Sequence, residues 1–272
     1  MDFKDLRIQM KGHAAVITIQ RPEVRNALRF STLRELDQAV SDLGGNPEVR
    51  VMVITGSGEK AFVAGADIQE FIGLDAETMW RMMKLGQDVF DRIADCPKPV
   101  IGAINGYALG GGLELAVACD ILIASENAQF GHPEITLGSF PGWGGSQRLP
   151  RKIGLSRAKE MVFTGMKIDA RRAEAIGLVN RVVPPSRLMD EALALAASIS
   201  EKSSRSIALA KAVLNASATA NLRDGQNLEA FAVSLASTFA DRKEGVRAFL
   251  EKRKPRFNRE TEGDDPTRSH EQ

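Results

Sequence analysis

Residues 105–134 read NGYALGGGLELAVACDILIASENAQFGHPE, and the order of patterns in this stretch decides the fold. An apolar run, residues 99–104, leads into it and predicts a strand. The glycine turn Gly110-Gly111-Gly112 follows, then a short apolar helix pattern carrying one acid, Glu114. A second apolar run, residues 120–124, comes next. After it stand a Gly-His-Pro turn and a second acid, Glu134. Upstream, residues 51–55 (VMVIT) are almost continuously apolar, as expected of a strand covered on both faces. Strands alternating with helices predict βαβ units with right-handed parallel crossovers, and so an α/β core.

Working outward, residues 6–19 hold two short alternating runs split by Lys11-Gly12-His13, the pattern of a β-hairpin. Thr32 and Glu35 have capping-box spacing before the amphipathic run LRELDQAVSDL, which Gly44-Gly45 closes. Residues 56–67 (GSGEKAFVAGAD) read as one long loop, and that length in a compact domain points to function. Helical patterns follow at 68–72 and 76–94, stopped by Pro97. Beyond Pro141, segments 144–153, 156–163, 169–176, 186–200, 204–214, 222–239 and 242–253 all read as helices. Only 178–183 interrupts them as a strand. The expected organisation is a core over residues 1–190, a helical region over 191–258 and a polar tail over 259–272. No internal sequence repeat is evident.

With 272 residues, 43% hydrophobic and 26% charged, the composition is that of an ordinary globular protein. A net charge of +1 gives no bulk attraction to nucleic acid or an anionic membrane. Cys96 and Cys119 form no CxxC, which favours a reducing, cytoplasmic setting. No apolar run approaches the roughly 20 residues a membrane span needs. The first twelve residues, MDFKDLRIQMKG, lack the apolar segment of a signal peptide.

Several residues can carry chemistry, each with a plainer alternative. The glycine triplet sits where a strand turns into a helix, and the free amides there could stabilise an oxyanion. A tight packing turn explains it equally well. It is neither a P-loop nor a dinucleotide fingerprint. Glu114 in an apolar helix start is either a dipole-favoured acid or a buried functional one. Glu134 alone could be a solvated loop acid. Two acids flanking a glycine turn suggest general acid/base work. Residues 138–145 (GSFPGWGG) form a second glycine-rich loop, whose Phe140 and Trp143 either line an apolar pocket or pack in the core. His132 reads as a structural turn histidine, and three scattered histidines give no metal site. Lys252, Arg253, Lys254 and Arg256 are either a solvated helix end or a phosphate contact.

Taken together, RPEVRNAL, KAFVAGADIQE, PVIGAINGYALGGGLELAVACD, AQFGHPEITLG, PGWGGSQRLPR and DRKEGVRAFLEKRKPRF resemble the crotonase family, the enoyl-CoA hydratase/isomerase superfamily. The likeness covers nearly the whole chain, with the motifs in the family's order. It implies an α/β spiral of ββα units with a helical C-terminal region that builds trimers, often paired into hexamers. It also implies an acyl-CoA thioester substrate, with coenzyme A as part of the substrate and no separate cofactor.

The resemblance places the family's two oxyanion-hole amides on Ala66 and Gly111, and its two hydratase glutamates on Glu114 and Glu134. Gly142 falls on the glycine that helps hold the catalytic water. Ala66, Asp67, Ile68 and Gln69 match the segment along the CoA. Lys252 matches a lysine that reaches a neighbouring subunit's CoA, and Arg25 lies near the mouth of the site. Three departures stand out. His132 replaces the usual glutamine, Leu113 a cysteine, and Trp143 an alanine, the last reshaping the acyl pocket. Hydration of a 2-enoyl-CoA is the expected reaction. Isomerisation, or hydration of a branched, cyclic or dienoyl thioester, remains open. RNA binding, known in one branch, has little support, because residues 76–94 carry only Arg81, Lys84 and Arg92 as cations.

Overall fold

A computed structural model describes residues 3–258. The chain divides into two compact units, Met1–Ala197 and Ser198–Gln272. The predicted tail, 259–272, lies outside the described residues.

The first unit is built on two sheets. The larger has six strands in the order β1 (Leu6–Lys11), β2 (Ala14–Ile19), β3 (Val51–Gly56), β5 (Val100–Ile104), β7 (Ile121–Ser125) and β10 (Arg181–Val183). Strands β1 and β2 form the expected antiparallel hairpin, and every other pairing is parallel. All residues of β3 and β5 are buried, which accounts for their uninterrupted apolar sequence. The smaller sheet has four short strands in the order β4 (Ala61–Val63), β6 (Tyr107–Leu109), β8 (Gln129–Gly131) and β9 (Lys167–Asp169). Here β4, β6 and β8 are parallel, and β9 runs against β8.

Each central strand of the large sheet passes its chain to a strand of the small one: β3 to β4, β5 to β6, β7 to β8. Helices α2 (Ala76–Asp95) and α3 (Gly111–Ala118) follow the first two pairs. This is the ββα spiral. The loop expected over 56–67 is therefore interrupted by β4. Three residues are too few to display a period of two.

Helix α1 (Phe30–Gly45) does not use the capping box its sequence suggested. Its N-cap is Arg29, without a side-chain bond. Thr32 instead donates to Asp5, and the Glu35 carboxylate accepts the N–H groups of Lys4 and Asp5. Both residues are recruited to hold the N-terminal segment. Asp5 also receives Arg29 through two bonds of 2.7 and 2.6 Å, so the buried carboxylate is fully paired. Helices α4 (Gly145–Ile153), α5 (Leu155–Thr164), α6 (Ala170–Ala175) and α7 (Leu188–Ser200) complete the unit. The division between units falls within α7.

The second unit contains α8 (Ser204–Ala216), α9 (Leu222–Ala236) and α10 (Ala240–Leu250), with α8 packed on α9. It leaves large apolar side chains in the open, among them Phe231, Phe249 and Leu250. Its basic cluster is mostly committed: Arg253 pairs with Glu244 and Glu251, and Lys254 with Glu201. Lys252 adopts a left-handed backbone, φ 54°, and is exposed. Among the described residues, no helix is long and apolar enough to cross a membrane.

Candidate active site

Three neighbouring parallel strands of the small sheet end level with one another. Leu109 of β6 lies beside Gly131 of β8, and Ala108 beside Val63 of β4. Just past these ends come Ala66, Gly111 and Glu134. The carboxyl ends of parallel strands are where open α/β sheets place ligands.

Between β6 and α3, Gly110 has φ 52° and ψ −124°. A Cβ there would be strained and would stand 3.2 Å from Glu134 Oε1. The next two glycines allow close approach. A Cβ on Gly112 would collide with the Val63 carbonyl oxygen at 2.0 Å, so α3 begins directly against the end of β4. The Cβ position of Gly111 lies 3.5 Å from the Ala66 nitrogen, which puts the two backbone segments side by side.

Both amides are available. Ala66 forms a parallel bridge with Leu28, in which Leu28 N–H donates to Gly65 and Asp67 N–H to Leu28. That pattern turns the flanking residues toward Leu28 and Ala66's own N–H the other way. Gly111 is the first residue of α3, where helix amides have no intrahelical acceptor. The Ala66 loop is anchored from behind, since Arg21 donates to the Asp67 carboxylate at 3.1 Å and to the Ala27 carbonyl at 2.6 Å.

Glu114 is only 2% exposed. Its Oε1 accepts the N–H groups of Trp143 and Gly145, each at 2.7 Å. The second glycine-rich loop therefore exists partly to hold this carboxylate. Burial pushes the Glu114 carboxyl up to about 7, with Glu134 adding to the rise; His132 and the two amides oppose it. An acid poised near neutrality is suited to proton transfer.

Glu134 stands on the 3-10 turn Pro133–Leu137, after β8. Its Oε1 lies 3.2 Å from His132 Nδ1, and its Oε2 is buried with no protein partner. His132 is wholly buried, and its Cε1 shares with Glu114 the space a Gly145 side chain would need. Two carboxylates expected from sequence are thus brought to one place, with a histidine between them whose position sequence reasoning had not valued. The available signal was its place two residues before Glu134, at the cap of the turn that carries it.

The aromatic pair separates. Trp143 is buried, and its ring lies between Gly86 of α2 and Gly111 of α3, where a Cβ would come within 2.2 and 2.6 Å of it. Phe90 meets it edge-on at 5.9 Å, and Phe71 lies tilted at 6.2 Å. Phe140 is 68% exposed and packs in no core. Gly142 accepts Gln87 Nε2 on its carbonyl at 2.9 Å and faces Met83. Asp67 is half-buried and paired with Arg21, while Ile68 and Gln69 are exposed. Arg25 is exposed, with its guanidinium 6.0 Å from the centre of the Tyr107 ring. Lys252 belongs to the second unit. Among the described residues, no group of three or more His, Cys, Asp or Glu side chains could hold a metal ion.

The sequence profile of the enoyl-CoA hydratase/isomerase family matches residues 9–260. The chain is 44% identical to the crotonyl-CoA hydratase of Syntrophomonas wolfei over 94% of its own length and 99% of that protein's. It is 42% identical to the short-chain-enoyl-CoA hydratase of Clostridium acetobutylicum, over 93% of this chain and 97% of the relative. Its structure resembles the crystal structure of an enoyl-CoA hydratase from Bacillus anthracis, with a TM-score of 0.91 and 38% identity. That match covers 94% of this chain and all of the other.

Proposed function

The chain belongs to the enoyl-CoA hydratase/isomerase family, the crotonase superfamily, and from that premise we propose how its site works. Its activity is that of an enoyl-CoA hydratase, a hydro-lyase acting on an enoyl-CoA thioester. In our reading the thioester oxygen of a 2-trans-enoyl-CoA lies between the N–H groups of Ala66 and Gly111. Charge develops on that oxygen as water attacks C3, and each donor contributes about 10²–10³ in rate. Glu114 takes a proton from the water, which Gly142 helps to hold. Glu134 delivers a proton to C2 on the same face, giving the 3-hydroxyacyl-CoA. The proton gained by Glu114 and the one lost by Glu134 balance through solvent before the next turnover.

The observation that carries this reading is the meeting of two unengaged amides with two carboxylates at the ends of β4, β6 and β8. Coenzyme A is the handle of the substrate, and the reaction as written uses no cofactor or metal. Ala66, Asp67, Ile68 and Gln69 lie along the CoA, in keeping with the exposure of Ile68 and Gln69. Arg25 flanks the nucleotide end, and Phe140 and Trp143 shape the acyl end. Lys252 reaches the CoA of a neighbouring subunit in a homotrimer or a dimer of trimers. The exposed Phe231, Phe249 and Leu250 support such an assembly. The setting is cytoplasmic fatty-acid β-oxidation, with no nucleic-acid or membrane partner. The presence of both glutamates favours hydration over double-bond isomerisation.

Loss of the enoyl absorbance of crotonyl-CoA tests the reading. It should be rapid for the native chain and fall by about 10² or more in Glu134→Gln, the size of a general acid's contribution. Unimpaired hydration in both Glu114→Gln and Glu134→Gln would overturn the roles given to them.

A further inference from the structure

We propose that His132 is a positioning residue that holds the Glu134 carboxyl group in place for its proton transfer, by fixing Oε1 as a hydrogen-bond acceptor. The inference rests on the hydratase reading of the site and goes beyond it by assigning a residue the reaction scheme does not use. His132 Nδ1 stands 3.2 Å from Glu134 Oε1. An ionised carboxylate can only accept, so at that distance the imidazole proton is on Nδ1. With Nδ1–H donating to Oε1, a proton taken up by Glu134 must sit on Oε2. That oxygen is the one shielded from bulk water and left without a protein partner.

The imidazole is itself locked. It is wholly buried, and Cε1 occupies the space beside Gly145 that it shares with the Cγ and Oε1 of Glu114. The titratable groups facing it are therefore Glu134 from the 3-10 turn and Glu114 from α3. The alternative tautomer would require a protonated Glu134 whose Oε1–H donates to Nδ1. It would also put the carboxyl proton on the oxygen turned toward histidine.

Two substitutions separate positioning from packing. His132→Asn keeps an N–H group at the place of Nδ1, two bonds from Cβ, but loses ring volume. His132→Leu keeps the volume and loses the donor. If His132 positions Glu134, His132→Leu should lower kcat for crotonyl-CoA hydration by about 10², the cost of misplacing a catalytic group. KM should hold within about twofold, as for an interaction made only in the transition state. His132→Asn should recover most of the lost kcat. In the reverse direction, 3-hydroxybutyryl-CoA deuterated at C2 should show a larger isotope effect with His132→Leu than with the native chain, because the C2 proton step has become slower. If His132→Leu matches or exceeds His132→Asn in kcat, the side chain only fills space and the proposal fails. If His132→Leu does not fold, the isotope effect in His132→Asn decides, an effect far above native overturning the claim that Nδ1–H is the group that matters. Absence of hydration by the native chain would instead strike the hydratase reading itself.

Discussion

Replacing Glu114 by glutamine should make the protein more stable and less active, and the stability gain should depend on pH in a definite way. The glutamine oxygen can still accept the N–H groups of Trp143 and Gly145, so the backbone geometry survives while the charge is removed. Burial raises the Glu114 carboxyl from 4.5 to about 7. Because the folded value lies above the unfolded one, the folded state holds the extra proton between them. Stability is therefore lost as pH rises from about 4.5 and levels off above about 7. The full cost is about 2.5 pKa units at 1.36 kcal/mol each, or about 3 kcal/mol. At roughly 2–4 °C per kcal/mol for a chain of this size, Glu114→Gln should melt several degrees higher than native at pH 8.5. The gap should shrink toward zero near pH 4.5. Differential scanning calorimetry on both proteins across this range, with other titrations cancelling in the difference, measures it. Activity should follow the same ionisation, kcat/KM of the native chain rising with pH up to about 7 as the base deprotonates. A gap that stays constant with pH, or a variant less stable at pH 8.5, would refute the idea that Glu114 carries a desolvation penalty held for catalysis.

Two further outcomes follow from the packing. Gly86→Ala would place a methyl 2.2 Å from the Trp143 ring, so it should cost about 1–3 kcal/mol by overpacking, read as a lowered denaturation midpoint. A midpoint equal to native would show that the indole is not confined by α2. Arg21→Ala releases Asp67 and the Ala27 carbonyl behind the Ala66 loop. With one oxyanion donor loosened, kcat should fall by about tenfold, with a smaller change in KM. Equal losses in KM alone would assign Arg21 to CoA binding instead.

How much of this was legible in the sequence depends on the length of the element. Strands β2, β3, β5 and β7 have five or six residues, mostly buried, and their apolar runs stand out. The strands of the small sheet have three residues each, two of them carrying glycine or tyrosine next to a turn, and they left no periodic trace. The ββα repeat left no trace in the local pattern for the same reason, since every second strand was hidden, and only the family resemblance implied it. Thr32 and Glu35 had the spacing of a cap but were claimed by Asp5 and Lys4, which lie about thirty positions away. No local rule anticipates such a partner. At the site, the glycine turn and its flanking acids were readable because they are consecutive along two neighbouring crossovers. The contact between His132 and Glu134 was not readable, because a single histidine signals nothing until its neighbours in space are known. The fate of the two aromatic rings was also a matter of packing: Trp143 became an interior wall and Phe140 a surface ring.

The indole of Trp143 takes up the room that Gly86 and Gly111 give by having no side chains. These three positions are consequently not free to drift one at a time. A lineage that exchanges the tryptophan for a small residue lifts the steric ban on both glycines at once. One that first enlarges either glycine must pass through a crowded, destabilised intermediate.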